Sequence, residues 1–264
     1  MANIQEYAHP EDHDYESGSP HLKHAGLKRR IMDSLEAAVK EQIKLKGNCM
    51  VWEVGAGHGD FTETLVGAGA TIVVTEMSGP AARRLQEIYK NCDKVEVIYD
   101  DSGDWIPQAH QLFDLVVCVS VLHHIPDYLG FLQEAFDHIN PDGAFISWQD
   151  PLWYPRRSRV NLNFERLCYF SWRVTRGEFR RGAKTRIRRF RGVIDESNPA
   201  DMVEYHVVRD GVDEVAIMRL AQLFFDSTSL TEYFSTQSKA FQNLGDSKWA
   251  RNTFGISARV RKAR

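Results

Sequence analysis

Apolar residues recur at every fourth position near the start of the chain. Within residues 25–46 these apolar positions are Leu27, Ile31, Leu35, Val39 and Ile43. This spacing predicts an amphipathic helix that packs by one face, and Gly47 directly after it is typical of a helix end. The residues before the helix are polar and include prolines at positions 10 and 20. We therefore expect an irregular arm ahead of the helix.

Farther along, short apolar runs of strand length alternate with helical stretches. The predicted strands lie at 49–54, 71–75, 95–99, 113–119 and 144–148. Between them, helices are predicted up to residue 65, at 81–89 and at 127–139. Such an alternation predicts a parallel sheet covered by helices on both faces. The sheet is expected to be completed by a helix at 213–223 and two closing strands at 230–235 and 253–260. Residues 203–208 are predicted to form either a short strand or the entrance to that helix.

The pattern changes after residue 150, where an aromatic and arginine-rich stretch begins. We interpret residues 151–200 as an inserted lid rather than a further strand–helix unit. The remaining divisions are an N-terminal arm and helix at 1–47, a core at 48–150, and a segment at 201–264 that completes the sheet. Within 151–191 there are 13 Lys and Arg against two Glu, so this segment carries +11 and the rest of the chain −14. One surface is thus expected to face an anionic partner.

Composition excludes several classes of protein. With 264 residues, of which 43% are hydrophobic and 26% charged, the chain is neither disordered nor collagen-like. The four cysteines lie far apart without a CxxC pair, which indicates neither a disulfide framework nor a zinc cluster, and no metal ion is expected. No apolar run approaches the roughly 20 residues of a membrane span. We expect a soluble protein of the reducing cytoplasm, and no feature sets its oligomeric state.

Residues 53–59 read Glu-Val-Gly-Ala-Gly-His-Gly, at the predicted turn from a strand into a helix. Glycines there let backbone approach a ligand closely, and a helix start offers unpaired N–H groups. The third glycine comes one residue earlier than in a dinucleotide-binding loop, which argues against a pyrophosphate ligand. Glu53 also argues against a pyrophosphate, because a carboxylate repels an anion and attracts an ammonium or sulfonium cation. The loop predicts a cationic small-molecule cofactor.

Five motifs occur in order between residues 48 and 150. They are the glycine loop 53–59, Thr75 and Glu76, the stretch 98–102, the pair of stretches 113–116 and 122–127, and the turn 140–145. This series resembles the class I S-adenosylmethionine-dependent methyltransferases of the small-molecule type. The resemblance implies a Rossmann-like, seven-stranded, mostly parallel sheet whose last strand is antiparallel, with an N-terminal helical arm and a helical lid insertion. It also implies S-adenosylmethionine as the cofactor.

The resemblance further implies a set of cofactor-binding residues. They are Glu53, Gly55, Gly57, His58, Glu76, Asp101, Ser102 and Val119. Glu53 would hold the methionine amino group, and Glu76 would accept from both ribose hydroxyls, since a carboxylate offers two oxygens to a diol. Asp101, favoured over Asp100, would pair with the adenine amine together with Ser102. The two glycines would admit the amino-acid and ribose portions, His58 would reach the carboxylate, and Val119 would lie under the sulfonium.

Histidines follow the predicted fourth strand at positions 123 and 124. His123 is the candidate general base, and the alternative is that these histidines only build the turn, with His124 the packing residue. Trp148, Trp153 and Tyr154 are candidate substrate-wall residues, because ligands of open α/β sheets bind beyond the strand carboxyl ends. The substrate candidates also include Arg156 in the basic stretch, and Tyr15 in the arm.

Three functions are compatible with these features. The first is methyl transfer from S-adenosylmethionine to a small-molecule acceptor, anionic or aromatic, in specialised metabolism. The second is methylation of RNA or another macromolecule that is bound by the basic segment 151–191. The overall acidity of the chain and the lack of a separate nucleic-acid-binding module favour the first. The third is a cofactor-binding scaffold without turnover.

Overall fold

The computed structural model describes residues 18–103, 105–108, 110–175, 210–243 and 248–262. Within these residues the helices are α1 Pro20–Lys23, α2 Ala25–Lys46, α3 Asp60–Gly67, α4 Gly79–Tyr89, α5 Tyr128–Asp137, α6 Arg159–Thr175, α7 Glu214–Phe224 and α8 Lys239–Gln242. The strands are β1 Met50–Val54, β2 Thr71–Glu76, β3 Val95–Tyr99, β4 Phe113–Val119, β5 Ile139–Pro151, β6 Phe225–Tyr233 and β7 Thr253–Arg261. Short 3-10 turns form at Leu122–His124, Tyr154–Arg156 and Lys248–Ala250.

The strands form one seven-stranded sheet in the order β3-β2-β1-β4-β5-β7-β6. Strands β1 to β5 pair in parallel, and β7 is antiparallel to both β5 and β6. The predicted mostly parallel sheet with an antiparallel last strand is therefore confirmed. Its geometry brings the carboxyl ends of β1, β2, β4 and β5 to one edge, where β7 begins. The candidate residues of the sequence motifs lie at this edge.

Both faces of the sheet are covered, as predicted. One face packs a core that includes Trp52, Phe113 and Phe136, and the other packs Leu65, Ile146 and the buried stripe of α2. That stripe consists of Leu27, Ile31, Leu35, Ala38, Val39 and Gln42. Helix α2 ends at Gly47, which adopts a left-handed conformation with φ 84°. The four-residue apolar spacing therefore identified the packing face and the end of this helix.

Two strands extend beyond their predicted bounds. Strand β5 was expected at 144–148 but runs over Ile139–Pro151, because Ile139 pairs with Phe113 of β4 while Asp150 and Pro151 pair with β7. Strand β6 was expected at 230–235 but begins at Phe225, directly after α7. It is the edge strand of the sheet, and its exposed residues are serines, threonines and acids rather than an apolar alternation. Hydrophobic patterning cannot detect such a solvated edge.

Two further observations bear on the expectations from sequence. None of the helices in the described segments is long and apolar enough to cross a membrane. All four cysteines are free, and Cys49, Cys118 and Cys168 are buried. The predicted element at 203–208, the arginines at 180–191 and Tyr15 lie outside the described residues.

Candidate active site

The glycine loop connects β1 to α3 through three left-handed glycines. Gly55, Gly57 and Gly59 have φ values of 66°, 56° and 87°, which residues with a Cβ adopt only with strain. A Cβ atom on Gly55 would lie 2.7 Å from Cγ2 of Val121. The Gly55 N–H donates to the Thr75 carbonyl over 2.7 Å, which fixes the loop against the end of β2. Sequence and sterics thus agree that this path requires glycine.

Glu76 ends β2 directly beside this loop. Its Oε2 accepts from the Gly57 N–H at 2.7 Å, and its Oε1 accepts from the Ser78 N–H at 2.8 Å. The side chain is buried, with the residue 7% exposed. Burial raises the pKa of Glu76, although the two backbone hydrogen bonds oppose the shift. The carboxylate is consequently held in one orientation at the carboxyl edge of the sheet.

Glu53 lies in the neighbouring strand β1 and is 3% exposed. Its Oε2 accepts from the Thr62 hydroxyl at 2.6 Å. Burial, together with a smaller contribution from the charge of Glu76, raises the pKa of Glu53 to about 7. In the part of the chain that the structure describes, neither carboxylate forms a salt bridge. Two buried acids without a cation are an unfavourable arrangement, and a ligand with a positively charged group would relieve it.

The loop after β3 presents two adjacent acids differently. Asp100 accepts from the backbone N–H groups of Gly103, at 2.9 Å, and Trp105, at 3.2 Å, and from the Ser102 hydroxyl. Asp100 is therefore occupied in shaping the loop, whereas the neighbouring Asp101 is exposed to solvent. The assignment of Asp101, rather than Asp100, to the adenine amine stays a prediction.

A groove of about 620 Å³ runs beside the glycine loop. His58 lines it together with Leu22, Lys28 and Tyr89, so the N-terminal helices contribute one wall. Across this wall the Lys28 ammonium lies 2.6 Å from Asp60 Oδ1 at the start of α3. The amino-terminal helices thereby contact the first turn after the loop.

His21 is buried in α1. Its ring stacks against Phe61 with the ring centroids 6.0 Å apart. Burial lowers the pKa of His21 to about 3, so the ring is neutral. Apolar periodicity could not predict this burial, because α1 spans a single turn and is too short to show a period.

His123 and Asp150 pair across the ends of β4 and β5. The imidazole Nδ1 of His123 lies 2.8 Å from Asp150 Oδ1, and the His123 backbone N–H donates to the same oxygen at 3.1 Å. Asp150 is fully buried. The ring of His124 packs against that of His123 with centroids 4.0 Å apart. A carboxylate at Nδ1 fixes the proton there and makes Nε2 the accepting nitrogen.

The same two strand ends contain two non-glycine residues in the left-handed region. Ser120, after β4, has φ 60°, and Gln149, in β5, has φ 70°. The Ser120 N–H donates to the Trp148 carbonyl at 2.7 Å, and the Gln149 N–H donates to the Tyr233 hydroxyl at 2.9 Å. Such conformations cost roughly 1–3 kcal/mol each and cluster at functional sites. They lie directly after Val119 and directly before Asp150.

Two predicted substrate residues have structural roles instead. Trp148 is 8% exposed, packs against Tyr233 and donates its indole N–H to the Ser34 hydroxyl at 3.3 Å, so it belongs to the core. Arg156 donates to Glu214 and Asp213, and the hydrogen bond with Asp213 raises its pKa. Its charge is neutralised within the protein. Trp148 is therefore placed in the core, whereas Arg156 is held by two acids and also lines the cavity after β5.

Trp153 and Tyr154 occupy a more open position after β5. Trp153 lines a second cavity of about 220 Å³ together with Arg157 and Trp249. The ring of Tyr154 lies under the Arg157 guanidinium, 5.1 Å from its centroid. The structure thus brings these two aromatics beyond the sheet edge, as expected from the sequence.

Sequence reasoning missed Asp150 and Thr62. Asp150 orients His123, and Thr62 donates to the carboxylate of Glu53. A usable signal existed for Asp150, because it follows an apolar run that ends at the same sheet edge as Glu76. Thr62 had no such signal, since a threonine in the first turns of a helix is common.

Comparisons with known proteins match this architecture. A methyltransferase domain model matches residues 52–145. A ubiquinone biosynthesis O-methyltransferase from Coxiella burnetii is 27% identical over 139 residues, which cover 50% of this chain and 51% of that protein. A protein-L-isoaspartate O-methyltransferase from a Bradyrhizobium species is 31% identical over 115 residues, covering 42% of this chain and 49% of that protein. The chain thus spans about half the length of these relatives.

A solved structure extends the likeness beyond the matched domain. The N-methyltransferase NodS from Bradyrhizobium japonicum WM9, in complex with S-adenosyl-L-homocysteine, has a TM-score of 0.54 at 12% identity. The match covers 97% of this chain and 98% of that chain. At this identity the likeness establishes the fold, and it agrees with the Rossmann-like sheet described above. The chain carries a methyltransferase domain at residues 52–145 and has the fold of the class I S-adenosylmethionine-dependent methyltransferases.

Proposed function

We propose that the protein is an enzyme that transfers a methyl group from S-adenosylmethionine to a small-molecule acceptor. The observation that carries the proposal is the pair of buried carboxylates, Glu53 and Glu76, on either side of a left-handed glycine loop. S-adenosylmethionine supplies a methyl group that its sulfonium already activates. The work left to the protein is to hold this cofactor, align the acceptor and accept a proton where the acceptor carries one.

Glu53 and Glu76 supply the two anchors of the proposed cofactor site. Glu53, whose pKa is raised to about 7 by burial, gains a cation when the ammonium group of the cofactor approaches. Glu76 is oriented by two backbone N–H groups, and its oxygens have further lone pairs for the ribose diol. The absence of side chains at Gly55 and Gly57 leaves the loop backbone accessible to the ligand between these anchors.

The other proposed contacts follow the same edge of the sheet. Asp101 and Ser102, both exposed after β3, take the adenine end. Val119, half-buried at the end of β4, lies beneath the sulfonium. His58, which lines the groove beside the glycine loop, takes the carboxylate end. These assignments extend the cofactor from β3 across β2 and β1 to β4, the strand order of the sheet.

His123 is proposed as the general base. Because Asp150 accepts the Nδ1 proton, the Nε2 atom of His123 takes the proton of an acceptor hydroxyl as that oxygen attacks the methyl carbon. The carbon–sulfur bond breaks, and the neutral thioether S-adenosylhomocysteine leaves. Asp150 then faces an imidazolium, whose charge it balances. This arrangement suits an acceptor that loses a proton on methylation, such as a phenol or an alcohol.

A small-molecule acceptor is supported by the state of the basic segment. Arg156 pairs with Asp213 and Glu214, and Arg157 pairs with Glu165. These two arginines are thus paired with carboxylates, which leaves them less available to phosphates; the arginines at 180–191 lie outside the described residues. The named relatives act on different acceptors, so they support methyl transfer without identifying the molecule that receives the methyl group.

The test is formation of S-adenosylhomocysteine together with a methylated product. The protein is incubated with methyl-labelled S-adenosylmethionine and fractionated small-molecule extract, and mass spectrometry searches for a labelled product one methylene heavier than its precursor. Glu76→Ala should abolish the product, whereas replacement of the exposed His110 by Ala should not. Cofactor binding without any product would instead indicate a scaffold. Labelled RNA or protein, with no labelled small molecule, would support the macromolecular alternative.

A further inference from the structure

The second cavity lies at the carboxyl edge of the sheet, next to the end of β5. Its volume is about 220 Å³, and its walls include Trp153, Arg157, Lys248, Trp249 and Arg251. Pockets that hold whole drug-sized ligands measure roughly 300–1,000 Å³. A cavity of this size therefore suits one portion of a larger molecule.

Arg157 is fixed at this cavity by hydrogen bonds on two sides of its guanidinium. Its Nε donates to Asn161 Oδ1 at 2.6 Å, and its Nη2 donates to Glu165. Asn161 is itself held, because its Nδ2 donates to the backbone carbonyls of Trp249, at 2.7 Å, and Arg251, at 2.9 Å. The Arg157 side chain is only 4% exposed. The guanidinium is thus preorganised before any ligand arrives.

The remaining nitrogen of this guanidinium has no acceptor. Nη1 of Arg157 is buried and makes no hydrogen bond within the described part of the chain. Leaving a buried charged donor unpaired is costly, and an oxygen placed against Nη1 would remove that cost. Arginine presents its N–H groups in a rigid plane that suits carboxylate oxygens. The unpaired nitrogen therefore indicates an oxygen-bearing ligand group.

The ion pairs around the cavity show which of its cations is available to that group. Glu165 balances Arg157, Glu232 lies 3.8 Å from Arg251, and Arg156 is bound to its own two acids. Among the cations that line the cavity, Lys248 alone has no carboxylate partner in the segments the structure describes. The Lys248 ammonium is therefore the cation of this cavity that is available to a negatively charged ligand group. A carboxylate combines that charge with the oxygens that Nη1 needs.

We propose that Arg157 and Lys248 form a subsite for a carboxylate group on the methyl acceptor, with the indoles of Trp153 and Trp249 beside it. This proposal rests on the proposed function. Trp153 follows Asp150 by three residues, and a chain of that length spans at most about 10 Å. The subsite therefore lies after the same strand end that carries Asp150, the partner of His123. Arg157, rather than Arg156, is the specificity-determining arginine of the basic segment.

The test compares an acid with its neutral amide. Affinities for benzoate and benzamide are measured by ligand-observed NMR titration, with and without saturating S-adenosylhomocysteine. We expect wild-type protein to bind benzoate at least tenfold more tightly than benzamide, in the range of a hydrogen bond to a charged group. Arg157→Gln and Lys248→Gln should each remove most of that preference while leaving benzamide affinity unchanged.

Arg166→Gln is the matched control, because Arg166 is exposed on α6 and donates to Asn163 outside the cavity. It should preserve the preference for benzoate. If Arg157→Gln lowers the melting temperature, the result for Lys248→Gln is used instead. Lys248 is exposed, so its replacement should leave the fold intact. The subsite would be overturned if the wild type bound benzoate and benzamide equally or did not bind benzoate. It would also be overturned if the variants lost affinity for both probes in parallel. Calorimetric binding of S-adenosylhomocysteine alongside such a result would leave the proposed function intact, whereas its absence would contradict that function separately.

Discussion

The Oδ1 atom of Asp150 accepts both the Nδ1–H and the backbone N–H of His123, at 2.8 Å and 3.1 Å. Two hydrogen bonds to one buried carboxylate leave the imidazole a single orientation. They also tie the turn after β4 to the end of β5. The pair thereby places a basic nitrogen at the carboxyl edge of the sheet, beside the half-buried Val119.

Replacement of His123 by Ala is expected to lower turnover by more than roughly a hundredfold, because the acceptor proton loses its base. Asp150→Asn should lower turnover through His123, since an amide no longer selects the Nδ1–H tautomer. Binding of S-adenosylhomocysteine should stay unchanged in both variants. Near-normal turnover in both would show that alignment alone drives the reaction.

The buried Glu53 predicts a pH-dependent cofactor affinity. Its pKa is raised from 4.5 to about 7 by burial, so the ligand-free folded protein retains a proton here that the unfolded chain releases. The stability derived from this protonated group is present at low pH and is lost as the pH rises through about 7. A bound ammonium group favours the carboxylate, so binding should expel the proton.

Affinity for S-adenosylhomocysteine should therefore increase as the pH rises from about 5 to 7, with proton release visible as different calorimetric heats in two buffers. The Glu53→Gln variant should bind more weakly and without this pH slope. A wild-type affinity that is constant over the interval, or a variant that retains the slope, would contradict the assignment of Glu53 to the ammonium group.

Gly55 and Gly67 provide a matched pair for the glycine loop. Gly55→Ala places a Cβ 2.7 Å from Val121 at φ +66°, whereas Gly67, at the end of α3, has open space around its Cβ position. Gly55→Ala should lower the free energy of unfolding by about 1–3 kcal/mol. Gly67→Ala should be neutral or slightly stabilising. Denaturant melts measure both, and an unchanged midpoint for Gly55→Ala would refute the strained loop.

Arg156 is expected to contribute to stability rather than to acceptor binding. Its replacement by Gln removes a partner from Glu214, a buried acid, and should cost about 1–3 kcal/mol in the free energy of unfolding. The affinity for benzoate should fall by less in Arg156→Gln than in Arg157→Gln. A stable Arg156→Gln protein with a strongly reduced benzoate affinity would restore Arg156 as a substrate residue.

Patterning predicted the parallel core because its strands are buried and apolar. The glycine loop and Glu76 were also predictable, since each occupies a fixed place at the end of a strand. The extent of β5 and β6 was not, because it depends on pairing with β7, far along the chain. The edge strand β6 exposes polar residues, which carry no apolar period.

Side-chain roles at the acceptor side were harder to predict for a different reason. Arg156 and Arg157 are adjacent and identical in type, and only their partners in space distinguish them. Trp148 and Trp153 both lie near the end of β5, yet one enters the core and the other lines a cavity. Trp148 lies within β5, between β4 and β7, whereas Trp153 lies beyond the end of that strand, and a single sequence does not reveal where such long-range pairing stops.

Calorimetric titration of S-adenosylhomocysteine into wild-type protein and the Glu76→Ala variant tests the proposed cofactor site most directly. We expect one site in the wild type and a loss of about 10- to 1,000-fold in the variant, equivalent to about 1.5–4 kcal/mol. Glu87→Ala, which removes an exposed acid of α4 that pairs with Lys90, should bind like the wild type. The proposed cofactor site would be contradicted if the wild type did not bind, or if Glu76→Ala bound within about twofold of the wild type.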